Sequence, residues 1–178
     1  MALDILIKNG TVVDGVGTPS YHADIAIKKG KIEKIGFLGE PSAATVIDAT
    51  GQYVAPGFID INNASDRNWT LFSHPNMESL LYQGVTTVIG GNCGSSLAPL
   101  TTGNIITSIQ KWADIKQINV NWSTLEEFFE CLKRKKPLLN FGTLVGHATL
   151  RRNVVGDRFS ELTEKELDQM KHLLTEAL

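Results

Sequence analysis

The 178-residue sequence contains only two cysteines, Cys93 and Cys131, and nothing around them suggests a disulfide framework. We therefore predict two free thiols. No apolar run reaches the about 18 residues that a membrane span needs, and residues 1–4 lack the basic and then apolar pattern of an export signal. We expect a cytoplasmic protein that does not enter membranes.

The sequence also carries little net charge. Its 17 lysines and arginines nearly balance 19 acidic residues, which leaves a formal charge of -2. Such a balance offers no overall electrostatic attraction for nucleic acid or for an acidic membrane surface. With 42% hydrophobic and 20% charged residues, the composition is that of an ordinary globular protein. We therefore predict neither a nucleic-acid partner nor a membrane partner.

Residues 1–56 have the pattern of a small antiparallel β-domain. β-Branched residues alternate with other residues on both sides of Asn9–Gly10 and again on both sides of Lys29–Gly30. Asn-Gly and Lys-Gly pairs between such runs are typical of hairpin turns. Two hairpin turns are therefore predicted in this domain.

Residues 57–178 alternate between strand and helix patterns. Apolar runs predict strands at 57–61, 85–89 and 138–145. Helices are predicted at 77–83, at 123–136 and after Thr163, and the segment between the third strand and Thr163 is predicted to be a loop. Capping-box spacing occurs at Ser123 with Glu126 and at Thr163 with Glu166. The pattern predicts three strand-helix units of an α/β protein.

Two motifs resemble one enzyme family. Residues 56–60, Pro-Gly-Phe-Ile-Asp, resemble the first barrel strand of the amidohydrolase superfamily, where His-x-His follows, but here Asn62 and Ala64 occupy the two histidine places. Residues 83–100, with Gly-Asn-Cys-Gly at 91–94, resemble the second-strand motif of the D-aminoacylases, which are N-acyl-D-amino-acid deacylases. Residues 145–151 and 162–178 resemble the same family, so the resemblance covers essentially the whole chain.

The resemblance implies a fold and a reaction. The fold would be the first three strand-helix units of a TIM-type barrel, residues 57–178, preceded by part of a β-sandwich, residues 1–56. A closed barrel needs eight strands and roughly 200–250 residues, so less than half a barrel is expected here. The family's reaction is hydrolysis of the N-acyl C–N bond of a D-amino acid by a metal-bound hydroxide.

Cys93 is the candidate metal ligand. It follows the second predicted strand, and the resemblance implies that its thiolate binds zinc. In the family two later histidines complete the zinc site and a late aspartate is the general base, and none of these has a counterpart here. One thiolate does not retain zinc tightly, so the isolated chain need bind none. The alternatives are a buried, packed cysteine, or a glycine-rich turn at 90–96 that holds an anion.

The other candidates are His147, Asp60 and Asp66. His147 follows the third predicted strand and could contact substrate, or it could be a histidine held by backbone hydrogen bonds at a strand end. Asp60 and Asp66 stand where the family has acidic residues. They could orient the metal ligands without binding the metal themselves. The alternatives for the two aspartates are an ordinary polar loop or, with Asn62 and Asn63, an oxygen-rich site for a hard cation.

Two hypotheses about function stay open, and no catalytic residue is assigned. In the first, the chain is a piece of an amidohydrolase, inactive alone, that a complementary C-terminal fragment would complete to act on N-acyl amino acids. In the second, it is a catalytically dead remnant or an interaction module. The third predicted strand has no fourth to pair with, and exposed strand edges favour self-association.

Overall fold

The computed structural model describes residues 2–101 and 120–178. The chain divides into two compact units, Met1–Pro56 and Gly57–Leu178. Strands form the first unit, whereas strands and helices alternate in the second. Each unit has its own sheet, so the protein has a mixed α/β fold.

The first unit is a five-stranded sheet. Its strands run in the order β3-β2-β1-β4, and β5 pairs with the end of β1. Lys29 and Gly30 join β2 to β3 with positive φ values of 52° and 72°, which confirms the hairpin predicted at this pair. Buried Val12, Ala23 and Ile25 form the core of the unit. The strands are β1 (Leu3–Val12), β2 (Tyr21–Lys28), β3 (Lys31–Gly36), β4 (Ala43–Asp48) and β5 (Tyr53–Val54).

The prediction that this β-domain is antiparallel is wrong for two of its strand pairs. β4 runs parallel to β1, with Leu3 opposite Ala43 and Lys8 opposite Asp48, and β5 is also parallel to β1. Because β3 and β4 lie at opposite edges, residues 37–42 cross the sheet instead of forming a hairpin. Side-chain alternation indicates which face a residue occupies but not the direction of the neighbouring strand. The sheet is therefore mixed.

Asn9–Gly10 is an irregularity inside β1 and not the predicted hairpin turn. The strand continues to Val12, and its register with β2 shifts between Ile7 and Gly10, where Asn9 has a φ of 60°. A Cβ atom on Gly10 would lie 2.7 Å from a methyl group of Val54, so the packing also requires glycine. An Asn-Gly pair suits a bulge as well as a turn because both need positive φ.

The second unit is built on a three-stranded parallel sheet in the order β6-β7-β8. Phe58 lies opposite Val85, and Val88 lies opposite Phe141. The parallel direction agrees with the strand-helix alternation of the sequence. The elements are β6 (Phe58–Asp60), α1 (Thr70–Ser73), α2 (Glu78–Leu81), β7 (Val85–Gly90), a 3₁₀ turn (Asn92–Gly94), α3 (Leu125–Lys135), β8 (Asn140–Thr143), α4 (His147–Val155) and α5 (Glu164–Ala177).

The helices depart from their predictions in two places. Helix α2 is shorter than the predicted span 77–83, and the short helix α1 precedes it. Residues 146–162, predicted to be a loop, contain helix α4. Its buried residues are Thr149, Leu150 and Asn153, two of them polar, so no apolar stripe marks the helix in the sequence.

One of the two predicted capping boxes is confirmed and the other lies one residue further on. Thr163 accepts a hydrogen bond from the Glu166 N–H, and the Glu166 side chain returns to the Thr163 N–H, as predicted. At the start of α3 the cap is Thr124 with Glu127, not Ser123 with Glu126. The Glu127 carboxylate also accepts the Ser123 N–H, at 2.6 Å.

An aromatic cluster lies at the centre of the second unit. Phe72 and Trp122 stack with their ring centroids 5.2 Å apart, and Phe128 of α3 meets both rings nearly edge-on. Val88 of β7 is fully buried in the same core. The indole N–H of Trp122 donates to the Leu97 carbonyl at 2.7 Å. Helix α3 and the segment after β7 therefore pack around one apolar centre.

Among the helices of the described residues, none combines the length and the apolarity that crossing a bilayer requires.

Candidate functional site

The candidate residues lie at the edge of the parallel sheet where all three strands end. Residues 61–66 follow β6, residues 91–96 follow β7, and residues 144–147 follow β8. In parallel α/β sheets this carboxyl edge is where active-site groups collect. Cys93, His147 and Asp66 all belong to these segments.

Cys93 is exposed on the 3₁₀ turn that begins after β7. Its φ of 56° is in the left-handed region, and Gly91 and Gly94 on either side have φ values of 75° and 76°. The alternative of a buried, packed cysteine is therefore wrong for Cys93, although it does describe Cys131, which is buried in α3. Both cysteines are free thiols.

The peptide group between Gly90 and Gly91 is held from two sides. Its carbonyl accepts a hydrogen bond from the Leu144 N–H at 3.0 Å, and its N–H donates to Oδ2 of Asp66 at 2.6 Å. A Cβ atom on Gly91 would lie 2.1 Å from the Leu144 carbonyl oxygen. The segments after β6 and β8 thus both contact the chain just before Cys93.

His147 lies beside the other end of the same turn. A Cβ atom on Gly146 would lie 2.4 Å from the Gly94 carbonyl oxygen, so the two backbones are in direct contact. The Gly146 N–H donates to the Ser96 hydroxyl at 3.0 Å. His147 is exposed as the first residue of α4, and the alternative of a histidine within a strand end is wrong. The structure therefore brings Cys93 and His147 to neighbouring segments.

Asp66 is the most buried carboxylate of the site, with only 2% of its surface exposed. Burial raises its pKa above the ordinary value, while the N–H groups of Gly91 and Arg67 act in the opposite direction. The Arg67 N–H donates to Oδ1 at 2.7 Å. Both carboxylate oxygens thus accept backbone hydrogen bonds, and Asp66 is not part of an ordinary polar loop.

Asp60 and the two asparagines form a hydrogen-bond network within residues 60–65. Oδ1 of Asp60 accepts the Asn62 N–H at 3.1 Å, and Oδ2 accepts the Asn63 side-chain amide at 2.7 Å. Oδ1 of Asn63 accepts the Ser65 N–H at 2.9 Å. Because Asn63 uses its oxygen within the loop and turns its nitrogen toward Asp60, these contacts stabilise the loop and do not favour a hard-cation site.

The described residues do not by themselves form a metal centre. Within residues 2–101 and 120–178, no three His, Cys, Asp or Glu side chains converge on a point that could hold a metal ion. A zinc site needs three or four protein ligands. Cys93 can supply one thiolate, Asn62 is a poor zinc ligand, and Ala64 has no donor atom. We therefore assign no reaction step to a metal bound by these residues alone.

A cavity of about 710 Å³ opens next to Ala64. Ser65, at its wall, is 7% exposed, and its hydroxyl has no hydrogen-bond partner among the residues that the structure describes. The lining is mostly small and polar and comes from Asn63, Ala64, Ser65, Asn68, Thr70, Ser73, His74, Pro75, Asn76, Met77, Glu78, Ser79 and Leu80. Space is thus present where the second histidine of the His-x-His pair would stand.

The sequence did not predict a buried polar network that joins helix α4 to residues 96–101, the segment that follows the Cys93 turn. Thr149 of α4 bonds both the N–H and the carbonyl of Ser96, at 2.9 and 3.0 Å. Asn153 accepts the Thr101 N–H at 2.6 Å and donates to the Pro99 carbonyl at 2.8 Å. The i, i+4 spacing of Thr149 and Asn153 was the available signal, but it indicates this role only once α4 is recognised as a helix.

Comparison with known proteins gives the family. The sequence profile of the Amidohydrolase family matches residues 45–178, three quarters of the chain. This chain belongs to the amidohydrolase family. Residues 1–56 also match the N-terminal domain of the urease alpha-subunit. The motif resemblance at residues 56–60 and 83–100 is therefore confirmed at the level of the family.

Several of the similar proteins are deacylases. A D-aminoacylase of Alcaligenes xylosoxydans xylosoxydans is 35% identical over 98% of this chain and 35% of its own length. The crystal structure of an N-acyl-D-glutamate deacylase from Bordetella bronchiseptica, complexed with zinc and a phosphonate inhibitor, is 33% identical, with a TM-score of 0.85 over 100% of this chain and 36% of that one.

A solved D-aminoacylase has a TM-score of 0.84 and 35% identity over 98% of this chain and 36% of that chain. It is described as having a binuclear metal centre with one-metal activation and second-metal attenuation. The present chain thus spans about a third of the length of these relatives.

Proposed function

We propose that this chain is the part of an N-acyl-D-amino-acid deacylase that carries one metal ligand, Cys93. The observation that carries the proposal is the exposed Cys93 on a turn fixed at the carboxyl edge of a parallel sheet. Support comes from its relatives, which are D-aminoacylases and N-acyl-D-glutamate deacylases. The substrate class would be N-acyl-D-amino acids, and the reaction would be hydrolysis of the acyl C–N bond.

The fold proposed for the complete protein is a TIM-type barrel joined to a β-sandwich. The three strand-helix units after residue 57 would be the first units of the barrel, and the mixed sheet of residues 1–56 would be part of the sandwich. The solved deacylases support this proposal through their TM-scores of 0.84 and 0.85. Edge strands β6 and β8 would then pair with further strands that these relatives' longer chains contain.

We further propose that the complete protein uses one zinc ion and not two. Asn62 and Ala64 stand in the places of the His-x-His pair, and Ala64 can donate no electron pair to a metal. The D-aminoacylase described with one-metal activation supports the idea that one metal is enough in this family. The ligands other than Cys93 would come from a complementary C-terminal fragment.

The test compares this chain with its complex with a fragment that supplies the later barrel strands. Metal analysis should find no tightly bound zinc in the chain alone and about one zinc per complex, because ligands that folding brings together determine affinity. Only the complex should hydrolyse N-acetyl-D-amino acids. Cys93→Ser should lower zinc content far more than the comparison variant His147→Ala. Zinc content unchanged by Cys93→Ser would overturn the assignment of Cys93.

His147 is proposed to contact the substrate. It is exposed, and its neighbour Gly146 contacts Gly94 on the Cys93 turn. In an active complex, His147→Ala should raise KM for N-acetyl-D-amino acids more than it lowers kcat. The substitution removes a contact with the substrate but leaves the activation of water unchanged. An unchanged KM would remove this role.

A second candidate function is an interaction module without activity. Exposed apolar residues near β6, with Phe58 64% exposed and Ile61 72% exposed, favour it because such patches mark contact surfaces. If a complex with the complementary fragment forms but contains no zinc and hydrolyses no N-acetyl-D-amino acid, this second function is the correct one.

A further inference from the structure

We propose that Asp66 is a positioning residue that fixes the turn carrying Cys93. The proposal rests on the proposed function for its relevance to catalysis, because Cys93 is the metal ligand there. The effect of Asp66 on the turn does not depend on the metal role of Cys93, since it involves contacts among described residues only. Asp66 touches neither the thiol nor any reacting atom, so it would act through the Gly90–Gly91 peptide.

Acceptors and donors are matched at Asp66. Both donors that face the carboxylate are backbone N–H groups, from Gly91 at 2.6 Å and from Arg67 at 2.7 Å. A carboxylate offers an acceptor to each of them, whereas an asparagine would turn its own N–H donors toward one of the two. A buried carboxylate is costly to keep without such bonds, so an aspartate here indicates a need for two acceptors.

Asp66 also packs closely against Gly90. A Cβ atom on Gly90 would lie 2.8 Å from both Cγ and Oδ2 of Asp66, closer than side-chain carbons approach other atoms. A Cβ atom on Gly91 would lie even closer to its neighbour, 2.1 Å from the Leu144 carbonyl oxygen. The glycine pair thus contacts both the segment after β6 and the segment after β8, and any side chain at Gly90 would press on Asp66 and on Phe141.

Cys93 itself has an uncommon backbone conformation. Its left-handed φ of 56° is uncommon for a residue with a side chain, and such residues persist when neighbouring contacts fix them. Contacts around the turn include the Asp66 and Leu144 bonds to the Gly90–Gly91 peptide, the Asn92 side chain bonded to the Ile89 carbonyl at 2.8 Å, and the contact of Gly94 with Gly146. Of these, only the Asp66 bond connects the turn to a charged side chain.

Two measurements on the 178-residue chain test the proposal without any metal or activity. Amide hydrogen exchange should show Gly91 and the turn at 92–94 exchanging roughly fivefold faster or more in Asp66→Asn, the change that loss of one typical hydrogen bond produces. A nitroxide label attached to the exposed Cys93 should become more mobile in the same variant. Cys131 is buried, so the label should react selectively with Cys93.

The matched control is Asp60→Asn. Asp60 belongs to the same region, but its hydrogen bonds reach only Asn62 and Asn63, so exchange at Gly91 and label mobility should stay unchanged. Gly90→Ala provides an independent variant, because its methyl group would press on Asp66 without altering the carboxylate, and it should loosen the same turn. The methyl group would also lie 2.9 Å from Cζ of Phe141, so exchange in helix α3 is followed in this variant as well. This second variant keeps the test decisive if Asp66→Asn folds poorly.

The outcomes separate this proposal from the proposed function. Unchanged exchange at Gly91 in Asp66→Asn and in Gly90→Ala would overturn the positioning role. Faster exchange throughout Gly57–Leu178, including helix α3, would also overturn it, because Asp66 would then stabilise the whole unit. If the turn alone loosens but Cys93→Ser leaves zinc content of the complex unchanged, the positioning role stands and the metal assignment fails.

Discussion

At the scale of single residues, two buried aspartates show how the surroundings of a carboxylate decide its pKa. Asp24 accepts the N–H groups of Asn9 at 3.0 Å and of Leu38 at 3.2 Å, and these bonds hold its pKa below the ordinary value. Asp66 also accepts two N–H groups, but deeper burial outweighs them and raises its pKa. The two carboxylates therefore affect stability in opposite directions as pH changes.

Asp24→Asn should make the first unit less stable and less sensitive to acid. The folded pKa of Asp24 lies below its unfolded value, so its stabilisation is fully present above the unfolded pKa of about 3.8 and is lost as pH falls through the folded pKa. Losing one acceptor should cost about 1 kcal/mol near neutral pH. Urea denaturation followed by circular dichroism measures the free energy of unfolding, and the difference between wild type and variant should shrink as pH falls below about 3.8.

The control for Asp24 is Glu40→Gln. Glu40 carries the same charge in the same unit, but its side chain is 93% exposed and lies 3.9 Å from Lys8. Exposed pairs of this kind contribute little to stability. The difference in free energy of unfolding between wild type and Asp24→Asn should depend on pH and exceed the difference for Glu40→Gln. A difference that is independent of pH, or equal to that for Glu40→Gln, would contradict the lowered pKa of Asp24.

The sequence could locate the site residues but not their contacts. Cys93 and His147 each follow a predicted strand, Asp66 stands where the resembled family has an acidic residue, and the structure places all three at one sheet edge. That Asp66 reaches Gly91 depends on the pairing of β6 with β7, 25 residues apart in sequence at the contact. No local pattern carries such information, so Asp60 and Asp66 could not be told apart.

At the scale of elements, short-range rules gave mixed results, since the hairpin predicted at Asn9–Gly10 and the capping box predicted at Ser123 are wrong. The Lys29–Gly30 hairpin and the Thr163 capping box depend on a few adjacent residues and are confirmed. The parallel pairing of β4 with β1 and the existence of α4 depend on distant partners and were missed. Helix α4 buries Thr149 and Asn153 against the segment 96–101, so its inner face is polar and the hydrophobic period is absent.

The start of helix α3 gives a test between two adjacent capping positions. Thr124 accepts the Glu127 N–H at 3.2 Å, while the Ser123 side chain precedes the cap. Thr124→Ala should lower the free energy of unfolding by about 1 kcal/mol, as cap removal typically does. Ser123→Ala, the neighbouring control, should change it by less than about 0.5 kcal/mol. Thermal denaturation of the two variants measures the difference. A larger effect at Ser123 would indicate that Ser123 is the N-cap, as the sequence predicted.

At the scale of the whole molecule, each unit leaves apolar side chains exposed. In the first unit Ile32, Phe37 and Val46 are 62%, 87% and 57% exposed. In the second, exposed apolar residues lie on and next to β6, a strand that pairs on one side only among the described residues. Unpaired strand edges with apolar side chains are templates for further pairing. The relatives' chains are about three times as long as this chain.

The isolated chain should therefore self-associate, and the edge at β6 should be the surface responsible. Phe58 and Ile59, 64% and 61% exposed, place two large apolar groups beside the unpaired backbone of β6. Sedimentation velocity at micromolar concentrations should show dimers or larger species that dissociate on dilution. Ile59→Lys should shift the distribution toward monomer, because a charge on an edge strand opposes pairing.

Phe159→Lys is the matched control, since Phe159 is 99% exposed but lies outside any strand or helix, and its removal should leave association unchanged. A wild-type chain that stays monomeric across the concentration range would contradict the prediction, and equal effects of the two variants would show that general hydrophobicity, and not the β6 edge, drives association.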